Sequence, residues 1–241
     1  MAQAYCGPAP VPDTLMTAWN ADLAAAALCA ALVAAHARGG RRAGRLPLAL
    51  AVAVLLVLFV SPFCALTVAL FSARVAHHVV LVAVVAPLLA LAFPERSAGR
   101  VGLAALVALH AATVWIWHAP AVYEIAIRGA LPYWAMQLSL LGSAFLLWRR
   151  ILSRHAGTGP ALMALLATAT QMGMLGALLT FARRPLYAPH ADTTLAYGLT
   201  PLADQQLAGL VMWVPAALPY LLAAALLAGA WLERPSASAG R

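Results

Sequence analysis

Apolar residues run along this chain in long unbroken blocks, and the polar residues fall into the short gaps between them. The longest block, Leu46 to Phe93, has Arg74 as its single permanent charge. It is about twice the roughly 20 residues that one helix needs to cross a bilayer. It must therefore hold two spans, with a turn expected near Phe71 to Arg74. Folding the block there brings Cys64 and His78 to similar depth on neighbouring helices.

The same pattern predicts seven helices in all: Thr17–Ala37, Leu46–Leu70, Val75–Phe93, Val101–His118, Tyr133–Trp148, Pro160–Ala182 and Gln206–Leu232. The predicted fold class is all-α, a polytopic membrane protein built as a seven-helix transmembrane bundle over residues 17–232. A Pro-rich extracytoplasmic tail, 1–16, precedes it, and a short cytoplasmic tail, 233–241, follows. The start, MAQAYCGPAPVPDTLM, lacks a basic segment followed by an apolar one, so it reads as an extended tail and not a cleaved leader. Pro62, Pro87, Pro215 and Pro219 are expected to kink their spans, because each removes a helix hydrogen bond. Ala169, Gly173 and Ala177 recur at four-residue spacing and predict a close helix contact, with Gly209 and Ala216 as the facing surface.

Composition agrees: the chain is 64% hydrophobic and 9% charged. A formal charge of +8 raises the question of nucleic acid. The basic residues, all arginine, sit in short loops between apolar runs, which is a topology signal, and no nucleic-acid partner is expected. Arg38, Arg41, Arg42, Arg45, Arg96, Arg100, Arg149, Arg150, Arg154, Arg234 and Arg241 fall on one side; Arg74, Arg128, Arg183 and Arg184 fall on the other. The positive-inside rule then puts the N-terminus out and the C-terminus in.

With that topology the unusual side chains gather in the outer half. Cys64, His77 and His78 lie about two turns below the outer face. Thiolate and imidazole are ligands that Cu(I) favours, in sets of two or three. Adjacent histidines on a helix point about 100° apart, so one of the two is expected to ligate, and His78 is favoured. Cys6 on the tail can pair with Cys64 or share a metal with it. His118 ends the fourth span, and His110 lies over two turns deeper on a similar face. Met172 and Met174 face opposite ways, so at most Met174 or its neighbour can face an outward cup. Asp204 either caps its own helix or draws a cation to the mouth. There is no nucleophile–base pair and no metalloprotease motif, so no enzyme is expected.

Four blocks then fall in a familiar order: Ser61-Pro62 followed by Phe71-Ser72-Ala73 and His78; Trp117-His118-Ala119-Pro120 with Tyr123; Leu175 to Phe181 leading to Pro185-Leu186-Tyr187; and Asp204-Gln205-Gln206 with Gly209, Met212, Trp213 and Pro215. In these the chain resembles the CtaG-like cytochrome c oxidase assembly factors, the membrane-embedded branch linked to caa-type oxidases. The resemblance implies a seven-span protein that helps copper reach the oxidase catalytic subunit, with His78, His118 and Asp204 on motif positions. The chain departs from the family pattern at Arg74, His77, Tyr133, Trp134 and Gln137, so a ligand set built on the family's histidines at those places cannot exist here.

The expected function is oxidase assembly through a transient, outward-facing Cu(I) site made from Cys64, His77, His78, His118 and Cys6, with Asp204, Met174 and His110 in supporting places. The oxidase catalytic subunit, a periplasmic copper chaperone and the lipid bilayer are the expected partners. Two alternatives stand beside it: a haem-binding electron-transfer protein using His78 with His110 or His118, and a small copper or cation permease.

Overall fold

The computed structural model describes residues 4–39, 44–96, 99 and 101–233. Every regular element among them is helical. In chain order these are α1 (Pro12–Leu15), α2 (Leu23–Arg38), α3 (Arg45–Val60), α4 (Pro62–Ala69), α5 (Phe71–Val80), α6 (Ala86–Ala92), α7 (Leu103–His118), α8 (Pro120–Ile127), α9 (Ala130–Ile151), α10 (Thr158–Thr180), α11 (Pro201–Trp213) and α12 (Ala217–Leu232). Phe71–Ala92, Ala130–Ile151, Thr158–Thr180 and Pro201–Leu232 are each long and apolar enough to cross a membrane. Counting the bent pairs α3–α4 and α7–α8 as one span each raises these 4 to 6, and α2 is a shorter apolar helix. Arg41, Arg42, Arg100, Arg234 and Arg241, part of the expected charge asymmetry, lie outside the described residues.

The breaks have local causes. Pro62 and Pro120 force the residue before them out of helical geometry. Ser61 and Ala119 are accordingly extended, with ψ 170° and 125°, and the chain bends by 51° and 77° at these points. Pro87 does not break its span. A π turn, Leu81–Val85, lies just before it and the helix runs on. In a π turn the missing Pro87 N–H would have met the Val82 carbonyl, and that carbonyl instead accepts from Trp148 Nε1 at 3.0 Å.

Two expected boundaries move. The first long helix starts at Leu23, where the Asp22 carboxylate accepts from Ala25 N at 2.9 Å, so Thr17–Asp22 belongs to the N-terminal segment. The turn expected near Phe71–Arg74 falls instead at Leu70, which is extended (φ −124°, ψ 130°). Arg74 therefore sits inside α5, buried, and is not a loop residue.

Helices α10 and α11 meet backbone to backbone. A Cβ on Gly209 would lie 2.5 Å from the Gly176 carbonyl, and one on Gly176 would lie 2.9 Å from Trp213 N. Of the expected facing surface Gly209 makes the contact, Ala216 lies past the end of α11, and the contact on α10 is through Gly176. Gly173 sits to one side against the Trp213 ring.

Successive long helices run in opposite directions, which gives the bundle two ends. At one end Arg150 pairs with Glu95 at 3.1 Å, and His36 lies edge-on to Phe93. The other end gathers residues 4–22, the Leu70 turn, the His118–Pro120 bend and the 182–200 loop. There Asn20 N donates to the Val60 carbonyl at 2.9 Å, and Thr193 Oγ1 to the Ala69 carbonyl at 2.6 Å. Residues 4–22 lie across this end as a strap, and the tail expected to be extended has a short helix in it, α1, which Pro12 can start because the first helical position needs no N–H.

Candidate functional site beneath the strap

The site is organised by α5, and α5 is held from far along the chain. The free amides of its first turn need acceptors, and Asp204 of α11 supplies them. Its carboxylate accepts from Phe71 N at 2.7 Å, from Ser72 N at 3.2 Å and from the Ser72 hydroxyl. Asp204 is 0% exposed. Both expectations for it are corrected: Thr200 caps its own helix, accepting from Ala203 N at 3.1 Å, and its oxygens are engaged inside the fold, away from any mouth. The rest of the motif works the same way. Gln205 Oε1 accepts from Leu186 N at 2.7 Å and Gln206 Nε2 donates to the Ala182 carbonyl at 3.3 Å. Asp204-Gln205-Gln206 is a staple joining α11 to α5 and to the 182–186 segment.

From that anchored start α5 carries Arg74, His77 and His78, all buried. The two histidines diverge as adjacent helical positions must. His77 turns to α3 and α4, its ring edge-on to Phe59 at 4.9 Å and stacked near Phe63 at 6.1 Å between centroids. His78 turns to α7, edge-to-face with His118 at 5.5 Å. His118 Nδ1 lies 2.7 Å from the Val114 carbonyl. A carbonyl can only accept, so Nδ1 carries the proton and Nε2 keeps its lone pair. Among the described residues that Nε2 and both ring nitrogens of His78 have no hydrogen-bond partner. His110 sits two turns deeper on α7, with Nδ1 3.0 Å from Ser143 Oγ. It is not joined to the pair. Met174 is 56% exposed and faces out of the bundle, so it takes no part.

Arg74 fills the space between the histidines and two tyrosines. Its guanidinium lies 5.3 Å from the centroid of the Tyr133 ring and beside the Tyr123 and Tyr133 hydroxyls. Among the described residues no carboxylate comes within ion-pair distance of it. Tyr123 shares a 2.7 Å hydrogen bond with His190 Nε2. His190 lies in the loop before α11, and burial, with Arg74 nearby, pushes its pKa down to about 4, so it is neutral. Tyr187 stacks on Phe71 at 3.7 Å and donates to the His118 carbonyl at 2.6 Å, which ties the 182–200 loop to the bend after α7.

Cys6 and Cys64 are joined by a disulfide. Of the two alternatives, pairing is the one formed, and neither sulfur is a thiolate ligand in this state. Among the described residues no three His, Cys, Asp or Glu side chains come together to hold a metal ion. The expected five-residue ligand set is thus not assembled. What remains suited to a soft ion is the His78–His118 pair, since Cu(I) accepts two imidazoles. The two rings touch, which leaves no slot between them for a porphyrin. The residues that reading for ligands passed over are Arg74, Tyr133, His190 and Tyr187. Tyr187 stands in a motif block, Arg74 and Tyr133 are departures from the pattern, and the expected topology already puts His190 in the outer half, so each carried a signal in the sequence.

The model of the cytochrome c oxidase caa3 assembly factor family (Caa3_CtaG) matches residues 26–234. The chain belongs to this family. No protein of curated function and no solved structure matches it. The matched residues include all of α5, the His78–His118 pair and the Asp204 staple. The strap, with Cys6, lies ahead of the first matched residue. CtaG-family membership concerns the building of an oxidase, and a helical bundle with several apolar spans suits work in the membrane.

Proposed function

We propose that this CtaG-family protein assists assembly of a caa3-type cytochrome c oxidase by carrying Cu(I) between His78 and His118 and releasing it to the oxidase catalytic subunit. The pair of imidazoles with free lone pairs, packed together at one end of the bundle, carries this reading. Copper here is cargo. Arg74, a permanent positive charge on the same face of α5, repels a bound cation, so the ion is held weakly and exchanges. In this reading α2 also spans, each bent pair counts once, and the protein crosses the bacterial cell membrane seven times with the strap end outside. Two observations support that orientation. Disulfides persist in oxidising compartments, and Arg38, Arg45, Arg149, Arg150 and Arg154 lie at the opposite end. A periplasmic copper chaperone is the fitting donor.

The test is Cu(I) binding by purified protein, wild type against His78→Ala and His118→Ala, together with the copper content of the oxidase in cells carrying each variant. Each variant should lose bound Cu(I), and oxidase copper should fall with it. Unchanged binding in the double variant would refute the paired-imidazole site.

A further inference from the structure

We propose that the Cys6–Cys64 disulfide is a reducible clasp and that a protein dithiol opens it, releasing the strap from the buried cluster. The clasp stands on the geometry of the strap alone; its use in copper handling, and the face it meets, rest on the reading above.

The bond ties a terminal segment to α4 and does not join two core helices. The other anchors of residues 4–16 are non-covalent. Tyr5 stacks on Tyr133 at 4.4 Å and donates to Asp22 Oδ1 at 3.0 Å. Tyr197 donates to the Pro10 carbonyl at 3.0 Å. Beneath the strap lies Tyr133, and Arg74 lies against the Tyr133 ring. The strap therefore covers the polar cluster, and losing its one covalent hold would uncover it.

The bond is also approachable from one side. A cleft of about 620 Å³ runs along the strap, lined by Tyr5, Cys6, Pro8, Trp19 and Asn20 among others. Cys6 borders it and is 6% exposed, whereas Cys64 is 0% exposed. Gly7, in the left-handed region at φ +89°, turns the chain away directly after Cys6. An incoming thiolate thus meets Cys6 Sγ and forms a mixed disulfide with it. The Cys6–Cys64 bond breaks, and Cys64 leaves as a thiolate. Asn20 Nδ2, 3.6 Å from Cys64 Sγ, and the Tyr133 hydroxyl, 4.0 Å away, stand where they can stabilise that charge before a solvent proton neutralises it. The second thiol of the partner then attacks the mixed disulfide and frees Cys6. Two electrons and two protons pass to the Cys6–Cys64 pair, and the partner leaves as a disulfide. The exchange needs two thiols on one partner, so the reductant that enters the cleft is a dithiol.

The experiment uses the full chain in detergent or nanodiscs, poised in mixtures of reduced and oxidised dithiothreitol. Thiols are counted by alkylation and strap opening by amide hydrogen exchange. Cys29 is buried and should stay unlabelled. Native protein should gain two labelled thiols on reduction, one at Cys6 and one at Cys64. Exchange in residues 4–18 should rise by roughly tenfold or more, with α9 and α10 unchanged. Cys6→Ser should show the open pattern without reductant. If that variant does not fold, Tyr5→Ala should reduce faster than wild type. A strap that stays protected after reduction, or a bond that is reduced only once α9 and α10 also exchange, would overturn the proposal. Opening without Cu(I) uptake would uphold the clasp and overturn the copper reading; Cu(I) binding at His78 and His118 beneath a strap that stays protected after reduction would do the reverse.

Discussion

Asp204→Ala is the sharpest test of how the cluster is built. The substitution leaves Phe71 N–H, Ser72 N–H and the Ser72 hydroxyl without their acceptor, at a position where the carboxylate is 0% exposed. A buried donor left unsatisfied costs about 1–3 kcal/mol, and bonds to a charged acceptor lie at the upper end. The three share one partner and will not add fully, so a loss of about 3–5 kcal/mol is expected. For a chain of this size about 1 kcal/mol moves Tm by about 2–4 °C, which gives a fall of roughly 6–20 °C. Asp204→Asn keeps one carbonyl oxygen for one backbone amide and should lose about half as much. The assay is helix unfolding in detergent followed by circular dichroism at neutral pH. A Tm shift under about 3 °C for Asp204→Ala, with weaker Cu(I) binding, would show that the carboxylate serves a cation at the mouth and would refute the staple.

Gly209→Ala should fail to pack, because the new Cβ would meet Thr180 Oγ1 at 2.4 Å and the Gly176 carbonyl at 2.5 Å. Forcing α10 and α11 apart costs about 1–3 kcal/mol, measurable in the same unfolding assay. Gly142→Ala, whose Cβ would meet nothing within 4 Å, should stabilise by about 0.4–1 kcal/mol. His190 supplies a pH dependence. Its folded pKa is lowered from 6.5 to about 4, so its contribution is complete above 6.5 and is lost as pH falls toward 4. By pH 4.5 the loss should reach about 2–3 kcal/mol, and a His190→Gln variant should show a flatter profile of Tm against pH.

The helices were largely legible because bilayer-length apolar blocks and prolines act locally. Ser61-Pro62 and Ala119-Pro120 bend the chain through their own geometry. The Leu70 turn was misplaced by a few residues because the start of α5 is set by a carboxylate on α11. No local rule sees a capping group that far along the chain. Arg74 read as a loop residue for the same reason: a lone charge in an apolar run marks a turn unless tertiary neighbours shelter it, and here Tyr123 and Tyr133 do. The small-residue stripe on α10 pointed to the correct partner helix, but through Gly173 where the contact is made by Gly176. Spacing alone fixes a period and leaves the phase open.

The candidate ligands divide along the same line. His78 and His118 could be paired in advance because both lie at the same end of adjoining spans, and adjacent-residue geometry already required His77 to point elsewhere. The thiols could not be assigned. Whether Cys6 meets Cys64 as a thiol or as half of a disulfide depends on where the strap lies, and the strap is placed by Tyr5 on Tyr133 and by Asn20 on the Phe59 and Val60 carbonyls. Tyr133 then touches everything that matters at this end: the strap through Tyr5, both sulfurs within 4.0 Å, and the Arg74 guanidinium across its ring. A tyrosine cannot take up a soft ion as an imidazole can, but it can bear a strap on one side and a buried cation on the other. Arg74, Tyr5 and the Cys6–Cys64 pair therefore meet around one side chain, Tyr133, which ties the strap to the buried cluster.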